Sequence, residues 1–148
     1  RPLDGGRNWF GDNKTWRGAI VLVAGVTLAA LALSPWDAWW EALPAGVRDA
    51  GPLPYGLLLG AGIVLGELPN SFLKRRLGVA PGAQRRGPVG LALTALDQGD
   101  LVLGAWVCLL PIWTMAVWQA AVAFAVISAL HLVVNVVGYA IGARRAAI

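Results

Sequence analysis

The chain has 148 residues, of which 57% are hydrophobic and 14% charged. Soluble domains carry about 25% charged residues, so this composition argues against a water-soluble globule and for a membrane-embedded chain. Its +4 formal charge is compatible with nucleic acid, anionic lipid or a phosphorylated small molecule, and only the placement of the cations decides among them.

The first segment, Arg1 to Arg17, is polar and glycine-rich, with Arg1, Arg7, Lys14 and Arg17 as its cations. It has no apolar stretch of the kind found in a secretory leader. Four apolar stretches follow, and a helix needs about 20 residues to cross a bilayer core of roughly 30 Å. They cover residues 18–34, 52–69, 95–110 and 116–143, and they predict an all-α, polytopic transmembrane bundle forming one domain over 1–148. Pro35, Pro52 and Pro111 sit near span ends, where a missing amide donor does least harm.

Charge placement sets the expected orientation. The stretch Pro35 to Gly51 holds Asp37, Glu41 and Asp49 with Arg48 as its cation. The loop expected from Asn70 to Pro88 holds Lys74, Arg75, Arg76, Arg85 and Arg86, and the tail holds Arg144 and Arg145. Cations therefore concentrate on alternate loops, as the positive-inside rule requires, which reads them as a topology signal and not as a nucleic-acid surface. Both ends and the central loop are expected to be cytoplasmic, in a multi-pass protein of the cell membrane. Trp36, Trp39, Trp40, Trp113 and Trp118 then mark the outer interface, and Trp9 and Trp16 the inner one.

Within the second span, Gly56 and Gly60, then Gly62 and Gly66, recur at helical spacing. Small residues let helices approach closely, and packing within one subunit is the preferred reading over a homodimer seam. Cys108 lies in an apolar run and reads as a core residue rather than a nucleophile.

The chemistry is expected where charge meets the membrane, because such charge is costly. Glu67 ends the second span, followed by Ser71, Lys74, Arg75 and Arg76, while Asp97 and Asp100 lie near the start of the third. Residues three apart share a helix face, so the two aspartates can point at one cation. Lys14 and Arg17 precede the first span, which places all three segments at one membrane face. Carboxylates bind Mg²⁺ together with substrate phosphates, and Lys and Arg neutralise the remaining phosphate oxygens. Glu67, Asp97 and Asp100 are thus the candidate Mg²⁺ ligands, whereas Arg76, Arg85 and Arg86 read as anchors to anionic headgroups. His131, Asn135 and Tyr139 recur every four residues on the last span and read as an interhelical polar stripe.

Three ordered motifs carry a resemblance. PLDGG (Pro2 to Gly6) with FGDNKTWRG (Phe10 to Gly18), GELPNSFLKRRLGVAPG (Gly66 to Gly82) with DQGD (Asp97 to Asp100), and HLVVNVVGYAIG (His131 to Gly142) resemble the cytoplasmic loops and final helix of the CDP-archaeol synthases. Ser71, Lys74 and Arg75 also match the S-x-x-K-R element of the related CDP-diacylglycerol synthases. The His-Gly-Gly of that group is missing, and Gln98 follows Asp97, so the chain leans to the archaeol branch. The resemblance implies a Mg²⁺-dependent cytidylyltransferase that takes CTP and a lipid phosphate and releases pyrophosphate. By the same resemblance Glu67, Lys74, Asp97 and Asp100 are catalytic, while Asn13, Lys14, Arg17, Asn70, Ser71, Lys74 and Arg75 hold CTP or the lipid phosphate. Members of that family carry a further span ahead of the PLDGG loop, which implies that a span is missing here. The alternatives are a phosphatidate cytidylyltransferase acting on a diacyl lipid, or a small cation-binding membrane transporter.

Overall fold

A computed structural model describes residues 1–7, 9–80 and 87–142. Arg85, Arg86, Arg144 and Arg145 lie outside the described residues, as do the side chains of His131, Asn135 and Tyr139. Among the described residues the structure is all-helical apart from one isolated bridge between Pro2 and Thr15. The helices are α1 (Trp16–Leu33), α2 (Asp37–Trp40), α3 (Ala45–Ala50), α4 (Pro52–Arg76), α5 (Pro88–Leu109) and α6 (Val117–Ala140). Residues Arg1–Met115 form one compact unit, and the described residues from Ala116 onward form a second, built on α6.

Local chemistry explains where each helix begins. The hydroxyl of Thr15 accepts a hydrogen bond from the Gly18 amide at 3.1 Å, which satisfies an otherwise orphaned donor at the start of α1. α4 and α5 both begin with Pro in the first turn, each after a glycine with positive φ, Gly51 and Gly87. Proline suits this position because its missing N–H has no helical partner there. Between α1 and α4, α2 and α3 fold the loop expected from Pro35 to Gly51. Trp39 lies 5.8 Å from Trp40 and 6.5 Å from Tyr55, ring centre to ring centre, and Val47 on α3 is 1% exposed.

Two helix ends differ from the hydropathy reading. α4 does not stop at residue 69 but runs through Pro69 to Arg76, so Lys74, Arg75 and Arg76 form its last turn and do not lie in a loop. Cations there complement the negative end of the helix dipole, and an apolarity window ends too early when it meets them. α5 likewise begins at Pro88 rather than near Ala95, which puts Asp97 and Asp100 inside the helix rather than near its start.

α4 is the central element of the first unit, and its glycines place it. A Cβ on Gly56 would lie 2.6 Å from the Thr27 Cα of α1, and one on Gly60 would lie 2.9 Å from the Val23 Cα. On the other side, a Cβ on Gly62 would lie 2.6 Å from the Gly104 carbonyl oxygen and 2.8 Å from the Ala105 Cα of α5. Both glycine pairs therefore serve packing within the subunit. Without a hydrophobic drive between helices in lipid, such backbone approach is the main source of association. Thr27, buried at the α1–α4 contact, donates its hydroxyl to the Val23 carbonyl at 2.7 Å.

α1 and α4 are long and apolar enough to cross a membrane; α5 and α6 contain shorter apolar helical stretches, Gly99–Leu109 and Val117–Leu130. On α1, Ile20, Val21 and Leu28 are exposed, a pattern that in water would mark an interaction surface and that lipid accommodates directly.

The packing makes a paired prediction. Gly56→Ala should destabilise the folded chain in detergent by about 1–3 kcal/mol, because the added methyl meets backbone. Gly25→Ala on α1 meets nothing within 4 Å and should be neutral or stabilising by up to about 1 kcal/mol. Thermal unfolding of the two variants checks this; equal behaviour would show that the α1–α4 contact is not this close.

Candidate active site

The site begins in the amino-terminal loop. In PLDGG, Asp4 folds the chain back on itself: one carboxylate oxygen accepts from the Gly6 amide at 2.9 Å, and the other from the Trp9 and Phe10 amides at 2.7 and 3.2 Å. Gly5 and Gly6 have φ of 65° and 86°, a region that glycine enters without steric penalty. The loop is closed at its base by the Leu3 amide on the Lys14 carbonyl at 2.8 Å and the Trp16 amide on the Arg1 carbonyl at 3.2 Å. Desolvation pushes the Asp4 carboxyl up, but the bonds from Phe10, Gly6 and Trp9 together outweigh it and hold the group below the ordinary aspartate value.

Two contacts tie this loop to α4. The Phe10 and Phe72 rings sit 6.5 Å apart, with the Arg76 guanidinium 4.9 Å over Phe72. The Lys14 ammonium pairs with the Glu67 carboxylate.

Along α4, Glu67, Asn70 and Lys74 follow the three- and four-residue spacing that brings side chains to one face. Asn70, 7% exposed, is the hinge of the cluster. Its Nδ2 donates to Asp97 Oδ1 at 2.5 Å and to Asp100 Oδ2 at 3.0 Å, and Lys74 Nζ donates to both oxygens of Asp97 at 2.5 Å. Two carboxylates on the nitrogen fix the orientation of the amide, since the reverse would set its oxygen against two anions. Asn70 Oδ1 is then left buried with no hydrogen-bond partner, and so are Nε and Nη1 of Arg75. Buried polar groups without partners are uncommon and costly, so an acceptor and a pair of donors stand ready for a ligand.

A cavity of about 380 Å³ between α4 and α5 opens beside this cluster. Leu65, Leu73, Leu96, Leu103 and Val107 supply apolar walls, and Asn70 and Asp100 supply polar ones.

The residues singled out from sequence thus divide. Lys14, Glu67, Asn70, Lys74, Asp97 and Asp100 are joined by hydrogen bonds and ion pairs across three segments. Asn13 and Arg17 are exposed, and neither side chain makes a hydrogen bond or ion pair among the described residues. Ser71 is half-buried. Glu67, Asp97 and Asp100 do not gather as a three-carboxylate cage; no such group of three occurs among the described residues. Lys14 and Lys74 bring counter-charge separately to Glu67 and Asp97, whose side chains are 32% and 42% exposed. Sequence reasoning quoted Asp4 without giving it a role. The signal was present, because an aspartate before two glycines is the pattern of a side chain bonding its own following backbone.

The Asp4 clasp depends on its charge. Asp4→Asn should remove protection of the Gly6, Trp9 and Phe10 amides, read by hydrogen exchange on segment 1–15. Because the folded carboxyl lies below its ordinary value, the wild-type clasp should be full at neutral pH and lost only as pH falls through that lowered value. Protection equal in variant and wild type at neutral pH would mean that the loop holds without this carboxylate.

Comparison with known proteins places this arrangement. The family model described as "CarS-like: CDP-archaeol synthase" matches residues 2–147. The chain is 36% identical to a CDP-archaeol synthase of Halorubrum lacusprofundi, over 97% of this chain and 82% of that protein. It is 32% identical to one of Methanosarcina mazei, over 98% and 89% respectively, and 37% identical to one of Halobacterium salinarum, over 97% and 81%. No solved structure matches the chain. A family match over nearly every residue, with relatives of this identity along most of their own length, shows that the chain belongs to the CarS-like CDP-archaeol synthase family.

Proposed function

We propose that the chain is a CTP-dependent cytidylyltransferase that makes CDP-archaeol from an archaeal ether-lipid phosphate, with release of pyrophosphate. The observation that carries this reading is the last turns of α4, where Asn70, bonded to two carboxylates, keeps an unpartnered buried acceptor and Arg75 keeps unpartnered buried guanidinium donors. Such a site suits a substrate that brings phosphate anions and a cation together. Membership of a family whose curated relatives are named CDP-archaeol synthases supports the archaeal lipid over a diacyl one.

The chemistry asks little of a general base. An oxygen of the lipid phosphate monoester attacks the α-phosphorus of CTP, and the bond to the β-phosphate oxygen breaks. A phosphate monoester is already an anion, so the protein's task is to align the two phosphates and to balance charge. Arg75 offers unpartnered guanidinium donors at Nε and Nη1, which suit phosphate oxygens. Lys74, now on Asp97, and Lys14, now on Glu67, can shift toward phosphate oxygens on the same face. Arg17 and Asn13, exposed near the start of α1, and Ser71 would complete the contacts to CTP.

The donor set fits a divalent cation. Asp97 and Asp100 are hard oxygen ligands of the type that Mg²⁺ takes alongside substrate phosphates, and Glu67 lies one turn before Asn70, whose Oδ1 is turned away from the two aspartates that its Nδ2 faces. When bound, Mg²⁺ would supply Lewis-acid neutralisation of the triphosphate. Lys74 pairs with Asp97 in the meantime.

The reading includes a multi-pass membrane protein, one domain of about four spans, with the site on the cytoplasmic side. Support comes from cations concentrated in the amino-terminal segment and in the last turn of α4 and from the apolar lengths of α1 and α4. The apolar cavity beside Asn70 and Asp100 gives the lipid phosphate an approach from the bilayer.

Variants separate site from anchor. Asp97→Asn should cut CTP turnover with the ether-lipid phosphate by at least about tenfold, or about 1.4 kcal/mol. Arg75→Ala should lose activity at every ionic strength. Arg76→Ala, whose side chain stacks on Phe72, should change turnover by no more than a contact worth about 0.5–1 kcal/mol allows. Assays in detergent across salt concentration decide it. Equal, salt-sensitive losses for Arg75→Ala and Arg76→Ala would show that the basic end of α4 acts as a diffuse field and not as a site.

A further inference from the structure

The two halves of the acidic site ride on different helices, so their separation is set by how closely those helices pack. The tightest approach is glycine against glycine. A Cβ on Gly104 would fall on the Gly62 carbonyl oxygen and lie 2.6 Å from the Gly66 Cα and 2.8 Å from its nitrogen, so Gly104 seats between the two α4 glycines. A Cβ on Gly66 would fall on the Asp100 carbonyl, 3.0 Å from its carbon and 3.0 Å from the Gly104 Cα. All these neighbours are backbone, which cannot swing aside as a side-chain tip can.

That contact lies next to the site. Asp100, whose carbonyl Gly66 abuts, carries the carboxylate that accepts from Asn70 at 3.0 Å, and Asn70 is one turn beyond Gly66 on α4. Asn70 is 7% exposed and its Oδ1 has no partner, so the spacing is held around a side chain poised for a ligand. Gly62 provides an internal comparison. Its approach to Gly104 and Ala105 is as close, at 2.6 and 2.8 Å, but it is one turn farther from the carboxylates.

We propose that the Gly66–Gly104 contact is a spacer that sets the reach between Asn70 on α4 and the two aspartates on α5, which makes Gly66 a positioning residue for cytidylyl transfer. The proposal rests on the cytidylyltransferase reading for its kinetic consequences, but not for its structural ones. A methyl at position 66 must push the helices apart. A widening of about 1 Å takes a 3.0 Å hydrogen bond beyond bonding range, and misplacement of that size can lower a rate by about a hundredfold.

The test uses the full chain in detergent. Gly66→Ala and Gly62→Ala should lower the melting temperature by similar amounts. Only Gly66→Ala should lower kcat by about tenfold or more, with KM for CTP little changed. Asp100→Glu, one methylene longer, should lower kcat alone yet recover part of it in the Gly66→Ala background. Gly104→Ala, whose methyl meets both the Gly62 carbonyl and Gly66, widens the helix gap from α5 and should also lower kcat more than Gly62→Ala does, which serves if Gly66→Ala does not fold. A second readout needs no turnover: the melting shifts of Asn70→Ala and Asp100→Ala should be non-additive in the wild type and additive with Gly66→Ala. Equal kcat losses for the two glycine variants, or coupling unchanged by Gly66→Ala, would overturn the spacer. A wild type that turns over no CTP would instead overturn the cytidylyltransferase reading, and the coupling measurement would still judge the spacer.

Discussion

Half-buried carboxylates at the junction of two apolar helices need donors nearby, or they weaken the packing that holds them. In this chain the match is made across segments. Lys14 reaches Glu67 from the amino-terminal loop, Lys74 reaches Asp97 from α4, and the Asn70 amide spans Asp97 and Asp100. Because each pair joins two elements, charge neutralisation also assembles the site. The loop, α4 and α5 are held together at one end by the same bonds that partner the acidic groups.

Glycine makes this arrangement possible. The side chains that cross from α4 to α5 are short, and an asparagine amide touches two aspartates on the facing helix only if the backbones nearly meet. The glycines at 56 and 60 do the same toward α1, so α4 has close contacts on both sides. Polar function and small-residue packing are therefore two sides of one constraint. The acids need the donors close, and only glycine allows the backbones to come close enough.

Much of this was legible in the sequence, but not evenly. The centres of α1, α4, α5 and α6 follow from apolar length. The ends of α4 and α5 did not, because a hydropathy window stops at Pro69 and at the charges beyond it, whereas the helix continues to Arg76 and uses those charges at its carboxyl end. The three-residue spacing of Asp97 and Asp100 anticipated their shared face, and loop charges anticipated that Lys14, Glu67 and the aspartates lie at one end. The pairings themselves were not legible. Whether Glu67 meets a lysine or an aspartate depends on the tertiary register of α4 against the loop, which one chain's pattern does not encode. The clasp at Asp4 was legible in principle, since Asp-Gly-Gly marks a turn, though its three amide bonds depend on the loop's closure at Lys14.

The unpartnered Asn70 oxygen and Arg75 guanidinium nitrogens connect this architecture to chemistry. They are groups of opposite demand, an acceptor and donors, near the carboxyl end of α4. A nucleotide triphosphate with its cation would meet both demands. The position of the transferred label tests this most directly. The chain is supplied with an archaeal ether-lipid phosphate and CTP labelled either at the α- or at the γ-phosphate, and the lipid phase is then counted. The account predicts that α-label enters the lipid while γ-label stays in water as pyrophosphate; γ-label in the lipid, or none from either, would contradict it.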